Sequence, residues 1–145
     1  MIVLKVENIK DFMAQLVTGE MFDKFHVAEC EVTTFVTIRI DGRRNDGWFD
    51  TDEKPVDTGR QVLWKQLRPV VFELIRGKKT PEVFKVDFCH YLGNGDAGSL
   101  RMQYEKGELF LYTGYMQKEF SMDKAGQQTW DDNCRNFLRE YGEEI

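Results

Sequence analysis

The stretch "FELIRGKKTPEVFKVDF", Phe72 to Phe88, decides the fold, because it can be read in two ways. Gly77-Lys78-Lys79-Thr80 looks like the end of a phosphate-binding loop, which would require a strand before it and a helix after it. Such a loop also needs glycines ahead of the lysine, so that successive backbone N–H groups wrap the anion. Here Leu67, Val70, Val71, Leu74 and Ile75 precede Gly77 at helical spacing, and Val83 to Tyr91 behind it reads as a strand. The order is helix then strand, the reverse of a phosphate loop. Gly77 becomes a helix stop, Arg76 and the lysines complement the negative end of the helix dipole, and Thr80-Pro81 leads into extended chain.

The elements on either side follow from the same punctuation. Proline is tolerated in a first helical turn and costs about 3 kcal/mol in an interior, so Pro69 sets the start of this helix near Lys65. Upstream, Ile2 to Val6 alternates as a strand. Asn8 then caps a helix whose apolar face is Ile9, Phe12, Met13, Leu16 and Val17, with Gly19 closing it in the left-handed conformation glycine tolerates. "VAECEVTTFVTIRI", Val27 to Ile40, is rich in β-branched residues and reads as one long strand, with "DGRRNDG" as its turn. "WFDTDEKPVDTGRQ" reads as an exposed irregular loop.

Downstream, "LGNGDAG" is expected to be a mobile link, and Leu100 to Glu105 with Glu108 to Tyr115 to form a hairpin around Lys106-Gly107. Trp130, Cys134, Phe137, Leu138 and Tyr141 mark a last helix, capped by Asp123 and ended by Gly142. The order β-α-β-α-β-β-β-α predicts an α+β fold with three helices on an antiparallel or mixed sheet of about five to six strands. Residues 1–145 are expected to form a single globular domain.

Composition bounds the function classes. A chain of 145 residues, 41% hydrophobic, can bury a core without disulfides or metal. No apolar run is long enough to span a bilayer, and Lys5, Glu7 and Lys10 interrupt the N-terminal apolar residues, so neither a transmembrane segment nor a signal peptide is expected. Cys30, Cys89 and Cys134 are odd in number and sit in apolar patterns, which predicts buried reduced thiols and a cytoplasmic location. The net charge is −5, yet Arg60 to Lys85 carries +5 while Asp41 to Asp57 and Met122 to Ile145 carry −3 each. That segmentation is a property that can steer association.

"VENIKDFMAQLVTGEMFDKF", "TTFVTIRIDGR", "LRPVVFELIRGKKTP" and "FSMDKAGQQTWDDNCRNFL" resemble a family of small single-domain proteins from anaerobic Gram-positive bacteria, catalogued as a domain of unknown function. The resemblance covers most of the chain, with Arg68-Pro69 and Gly77 to Pro81 as its most specific pieces. It implies no activity, ligand or catalytic residue. The chain looks shorter than its relatives around Leu92 to Gly98.

The residues themselves offer no catalytic apparatus. Asn94 and Asp96 alone cannot supply the six to eight oxygens calcium takes, and the spacing of "GNGDAG" is not that of an EF-hand. His26, Cys30, Cys89 and His90 lack metal-ligand spacing, and adjacent Cys89 and His90 point to opposite faces of a strand. No cofactor or metal is therefore expected, and the reading leans away from an enzyme. The best binding candidates are Arg39, Arg43, Arg44, Trp48, Phe49, Arg68, Lys78 and Lys79. The aromatics would anchor another protein or a second copy of the chain. As an alternative, the arginines and lysines would neutralise nucleic-acid phosphates, with Phe35, Trp48 and Phe49 stacking on bases. A third reading makes Asp50, Asp52 and Glu53 the magnesium ligands of a phosphoesterase. A binding module contacting another protein is the expectation, and convergence of Arg39, Arg43, Arg68 and Lys78 on one concave surface would favour a ligand or nucleic acid instead.

Overall fold

The computed structural model describes residues 1–50, 52, 60–77 and 79–145. Asn8 does cap α1 (Ile9–Val17), its side chain accepting from the Asp11 N–H. Gly19 follows the helix without a left-handed φ; it is needed because a Cβ there would sit 2.9 Å from the Gln15 carbonyl oxygen. α2 (Trp64–Ile75) starts one residue before the expected point, so Pro69 falls in its second turn. Gln66 reaches back to accept from the Leu63 N–H at 3.2 Å. Gly77, with φ 143°, adopts a backbone that favours glycine, and the chain then turns into β4 (Val83–Tyr91). The helix-then-strand reading of the opening stretch holds.

The sheet corrects the expected strand count. Among the described residues it has seven strands, all paired antiparallel, in the order β3-β2-β4-β5-β6-β1-β7. "VAECEVTTFVTIRI" is not one strand: it folds back as β2 (His26–Thr33) and β3 (Thr37–Asp41), with Thr34, Phe35 and Val36 at the tip. No glycine, proline or asparagine marks that turn. It is held instead by the Thr34 N–H to Val36 O bond and by paired Thr33 and Thr37 hydroxyls at 2.8 Å. The second addition is β7 (Gly142–Glu144), so Gly142 begins a strand against β1 (Val3–Val6) rather than ending a helix. α3 (Ala125–Phe137) stops earlier, and Asp123 Oδ1 accepts from the Ala125 N–H at its start.

The hairpin of β5 (Ala97–Glu105) and β6 (Glu108–Met116) turns at Lys106 and Gly107, both with positive φ, as the tight-turn reading requires. The link before it is a built turn: Asp96 accepts from the Tyr115 hydroxyl and the Lys118 N–H. Hydrogen bonding by Tyr115, then Lys118, holds the Asp96 carboxyl below its usual range.

Strand alternation puts Val32, Phe84, Val86, Phe88, Leu100, Met102, Leu109, Leu111, Leu4 and Val6 on one face. Phe12 and Leu16 of α1, Trp64 and Val71 of α2, Trp130 and Cys134 of α3, and Leu138 just past it join them in one core. The three helices therefore cover one side of the sheet, and the other side is left open, as antiparallel sheets allow. Among the described residues, no helix is long and apolar enough to cross a membrane.

Candidate binding surface

The open side is organised by register. One row crosses the sheet as Arg39, Glu31, Lys85, Gln103 and Phe110; the next runs Asp41, Glu29, Asp87, Arg101 and Tyr112. Most charges here have partners: Arg39 Nε lies 2.7 Å from Glu31, and Arg101 Nε 2.7 Å from Asp87. A third row runs His26, Cys89, Ser99 and Gly114; its last three, with small side chains, floor a 540 Å³ hollow walled by Arg101, Tyr112 and Met116. Gly114 has no side chain because a Cβ would strike the Ser99 hydroxyl.

Cys89 thus lies on the open side of the sheet, not in the helix-covered core that its apolar neighbours suggested. It is still buried, and burial raises its thiol above the ordinary value. Cys30 and Cys134 sit in the core, where burial pushes each thiol up to about 12. All three are free and reduced. His90 does point away from Cys89, stacking on Trp130 with ring centroids 5.7 Å apart. His26 is the register partner of Cys89, and its Nδ1 bonds the Gln61 carbonyl at 2.8 Å. Among the described residues, no group of three or more His, Cys, Asp or Glu side chains is placed to hold a metal ion. Asp50 and Asp52 are exposed, and Glu53 lies outside the described residues.

The basic residues singled out in the sequence do not gather. Arg68 is on α2, behind the sheet, where its Nε and Nη2 grip Asp23 at 2.9 and 3.0 Å. Arg39 is on the open side at the sheet edge, and Lys79 is at the corner between α2 and β4. Lys78 lies outside the described residues. Arg39 and Arg68 therefore lie on opposite faces. Arg43 and Arg44 do share a cavity, with Arg60, because an isolated antiparallel bridge joins Arg43 to Gln61. Sequence reading passed over Arg60 as a site residue; its only local signal was its place in a basic segment.

The aromatic candidates are more informative. Trp48, at the end of a single 3₁₀ turn (Asp46–Trp48), is 77% exposed, with half-buried Phe49 edge-on to it at 5.6 Å. Phe35, at the tip between β2 and β3, is 98% exposed. These two rings stand before and after the edge strand β3. Among the described residues, no strand pairs with the outer edge of β3. The bonds from Gly42 N–H to Ala28 O and Thr34 N–H to Val36 O mark the even-numbered positions as those bonded toward β2. In an antiparallel ladder successive residues alternate sides, so the N–H and C=O groups of Thr37, Arg39 and Asp41 point outward from the edge.

Comparison with known proteins adds membership but no activity. A family model described as a family of unknown function (DUF5721) matches residues 15–97 and 94–144. Neither a curated protein nor a solved structure matches the chain.

Proposed function

Since the chain belongs to this family of unknown function, which brings no ligand or reaction with it, we propose from the geometry that it is a non-catalytic cytoplasmic binding module. It takes up an extended segment of another protein as an added strand along β3. The observation that carries this reading is the outward backbone of Thr37, Arg39 and Asp41, bracketed by the exposed rings of Phe35 and Trp48. Added-strand recognition draws affinity from main-chain hydrogen bonds and selectivity from side chains at alternate positions. Large exposed aromatics are the residues that dominate interface energies once docked.

Charge supplies the selectivity. Arg39 and Asp41 sit two residues apart on the same side of β3, so a partner strand in antiparallel register would present an acid opposite Arg39 and a base opposite Asp41. The shortness of β3 and its two charges also limit indiscriminate pairing.

The test is a displayed library of random peptides selected against the whole chain. Binders should be extended sequences with an acid and a base two positions apart, and Arg39→Pro should abolish their binding. Proline at position 39 deletes an outward donor and none of the bonds to β2, so the fold should persist by circular dichroism. Phe35→Ser should weaken binding as well. Selected binders indifferent to both substitutions would refute the proposal.

A further inference from the structure

The cavity at the corner of the open face, of 430 Å³, is lined by Arg43, Arg44 and Arg60 together with Ala28, Asp41 and Gln61. Its walls are built, not incidental. Val27 N–H bonds to Val62 O, Val62 N–H to Gly42 O, and Gly42 N–H to Ala28 O, which ties three separate segments together. Gly42 permits this approach, because a Cβ there would run into the Val27 carbonyl. Arg60 lies over the Tyr91 ring at 4.1 Å, and the Tyr91 hydroxyl donates to Gln61 Oε1, so the guanidinium has a fixed seat.

The charges in this cavity are unevenly met. Arg44 is almost wholly buried and pairs with Asp46. Arg43 and Arg60 form no ion pair with any described carboxylate. Among the described residues, the carboxylate on the cavity wall is that of Asp41, whose Oδ1 accepts from the Arg43 backbone N–H at 2.9 Å. Arg43 and Arg60 thus lack an ion-pair partner among the described residues and line one cavity with Arg44, an arrangement whose like charges favour an anion.

From this arrangement we infer that the cavity is a binding site for a phosphate monoester. The stoichiometry of donors selects the anion. A carboxylate has two oxygens and one charge, which a single guanidinium fork satisfies, whereas a phosphate monoester offers three oxygens and about two charges and can be shared by Arg43 and Arg60 together. The volume falls within the range of small-ligand sites and leaves room for more than the phosphate group. The site adjoins the end of the β3 edge used above and shares Asp41 with it, but Arg43 and Arg60 lie beyond β3, so their variants test this reading apart from Arg39→Pro.

The experiment is isothermal titration of the whole chain at low ionic strength with ribose 5-phosphate, inorganic phosphate and acetate in turn. Saturable binding of the sugar phosphate is expected, with acetate much weaker. Arg43→Gln and Arg60→Gln should each weaken it about tenfold, since a charge-assisted bond is worth about 1.5–3 kcal/mol and each tenfold is about 1.4. Arg60→Lys, which keeps charge but loses the fork, should fall between wild type and Arg60→Gln. Arg76→Gln, at the end of α2, should leave it unchanged. Tighter binding of the ester than of inorganic phosphate assigns the source to an esterified ligand, and equal binding assigns it to the free ion; both sustain the arginine site. No saturable binding up to about 10 mM, equal binding of acetate, or indifference to both glutamine variants would overturn it.

Discussion

Replacing Gly98 by alanine tests how closely α3 is fitted to the sheet. Gly98 is a strand residue opposite His90, and the Trp130 indole lies directly on it. A Cβ built at position 98 would come within 2.7 Å of Trp130 Cε3, with Cδ2 and Cε2 closer still. The ring cannot tilt freely, because it stacks on His90 and its Nε1 donates to the Ser99 carbonyl at 3.0 Å. Overpacking of this kind costs about 1–3 kcal/mol, and loosening the indole hydrogen bond adds about 1 kcal/mol. Against this, alanine restricts the unfolded chain and returns about 0.4–1 kcal/mol. The net loss should be about 1–3.5 kcal/mol. For a chain of this size that is a fall of about 3–11 °C in Tm. Urea unfolding followed by tryptophan fluorescence and far-UV circular dichroism measures it. The double variant Gly98→Ala/Trp130→Leu should lose less than the sum of its two single changes, since the smaller side chain makes room for the methyl. A loss below about 0.5 kcal/mol in Gly98→Ala, or strict additivity in the double variant, would show that the strand and indole are not in contact as described.

The Arg68 to Asp23 pair is largely shielded and bidentate, so Arg68→Ala should destabilise by about 2–3 kcal/mol and Arg68→Lys by nearly as much, measured by urea unfolding. Asp96 should titrate below the usual carboxylate range in a carboxyl NMR experiment, and Tyr115→Phe should move it back up. Because its folded pKa is depressed, its contribution to stability is present above the unfolded value and is lost as pH falls through the folded one. Cys30 and Cys134 should resist a thiol reagent at pH 8 in the native protein and react at once in denaturant, because burial holds both near 12. Phe35→Ser should change stability by no more than about 0.5 kcal/mol, since the ring is almost entirely in solvent.

Local signals were enough wherever an element is set by its own neighbours. The Asn8 cap, the stop at Gly77, the change from helix to strand across Thr80-Pro81 and the tight turn at Lys106-Gly107 are each written in a few consecutive residues. The buried, reduced state of the three cysteines was legible too, though the open-face position of Cys89 was not, because alternation shows that sides differ but not which side the helices cover.

What the sequence by itself determined, then, is the α+β class, the three helices and the hairpin of β5 and β6. The split of β2 from β3 needed the tertiary structure, because Thr34, Phe35 and Val36 are all good strand formers and the fold-back is decided by pairing β2 with β4. β7 likewise exists only because the chain end returns to β1, across most of the sequence. The same holds for the sites. Arg39 lies in a strand pattern and Arg68 in a helical one, and neither pattern tells that they end on opposite faces of the sheet, while Arg43 and Arg60 come to one cavity through the bridge between Arg43 and Gln61. Helix caps and turns draw their free energy from bonds within a few residues, so they can be read from those residues. Register and convergence draw theirs from strands brought together across the whole chain, and only the folded sheet decides which side chains become neighbours.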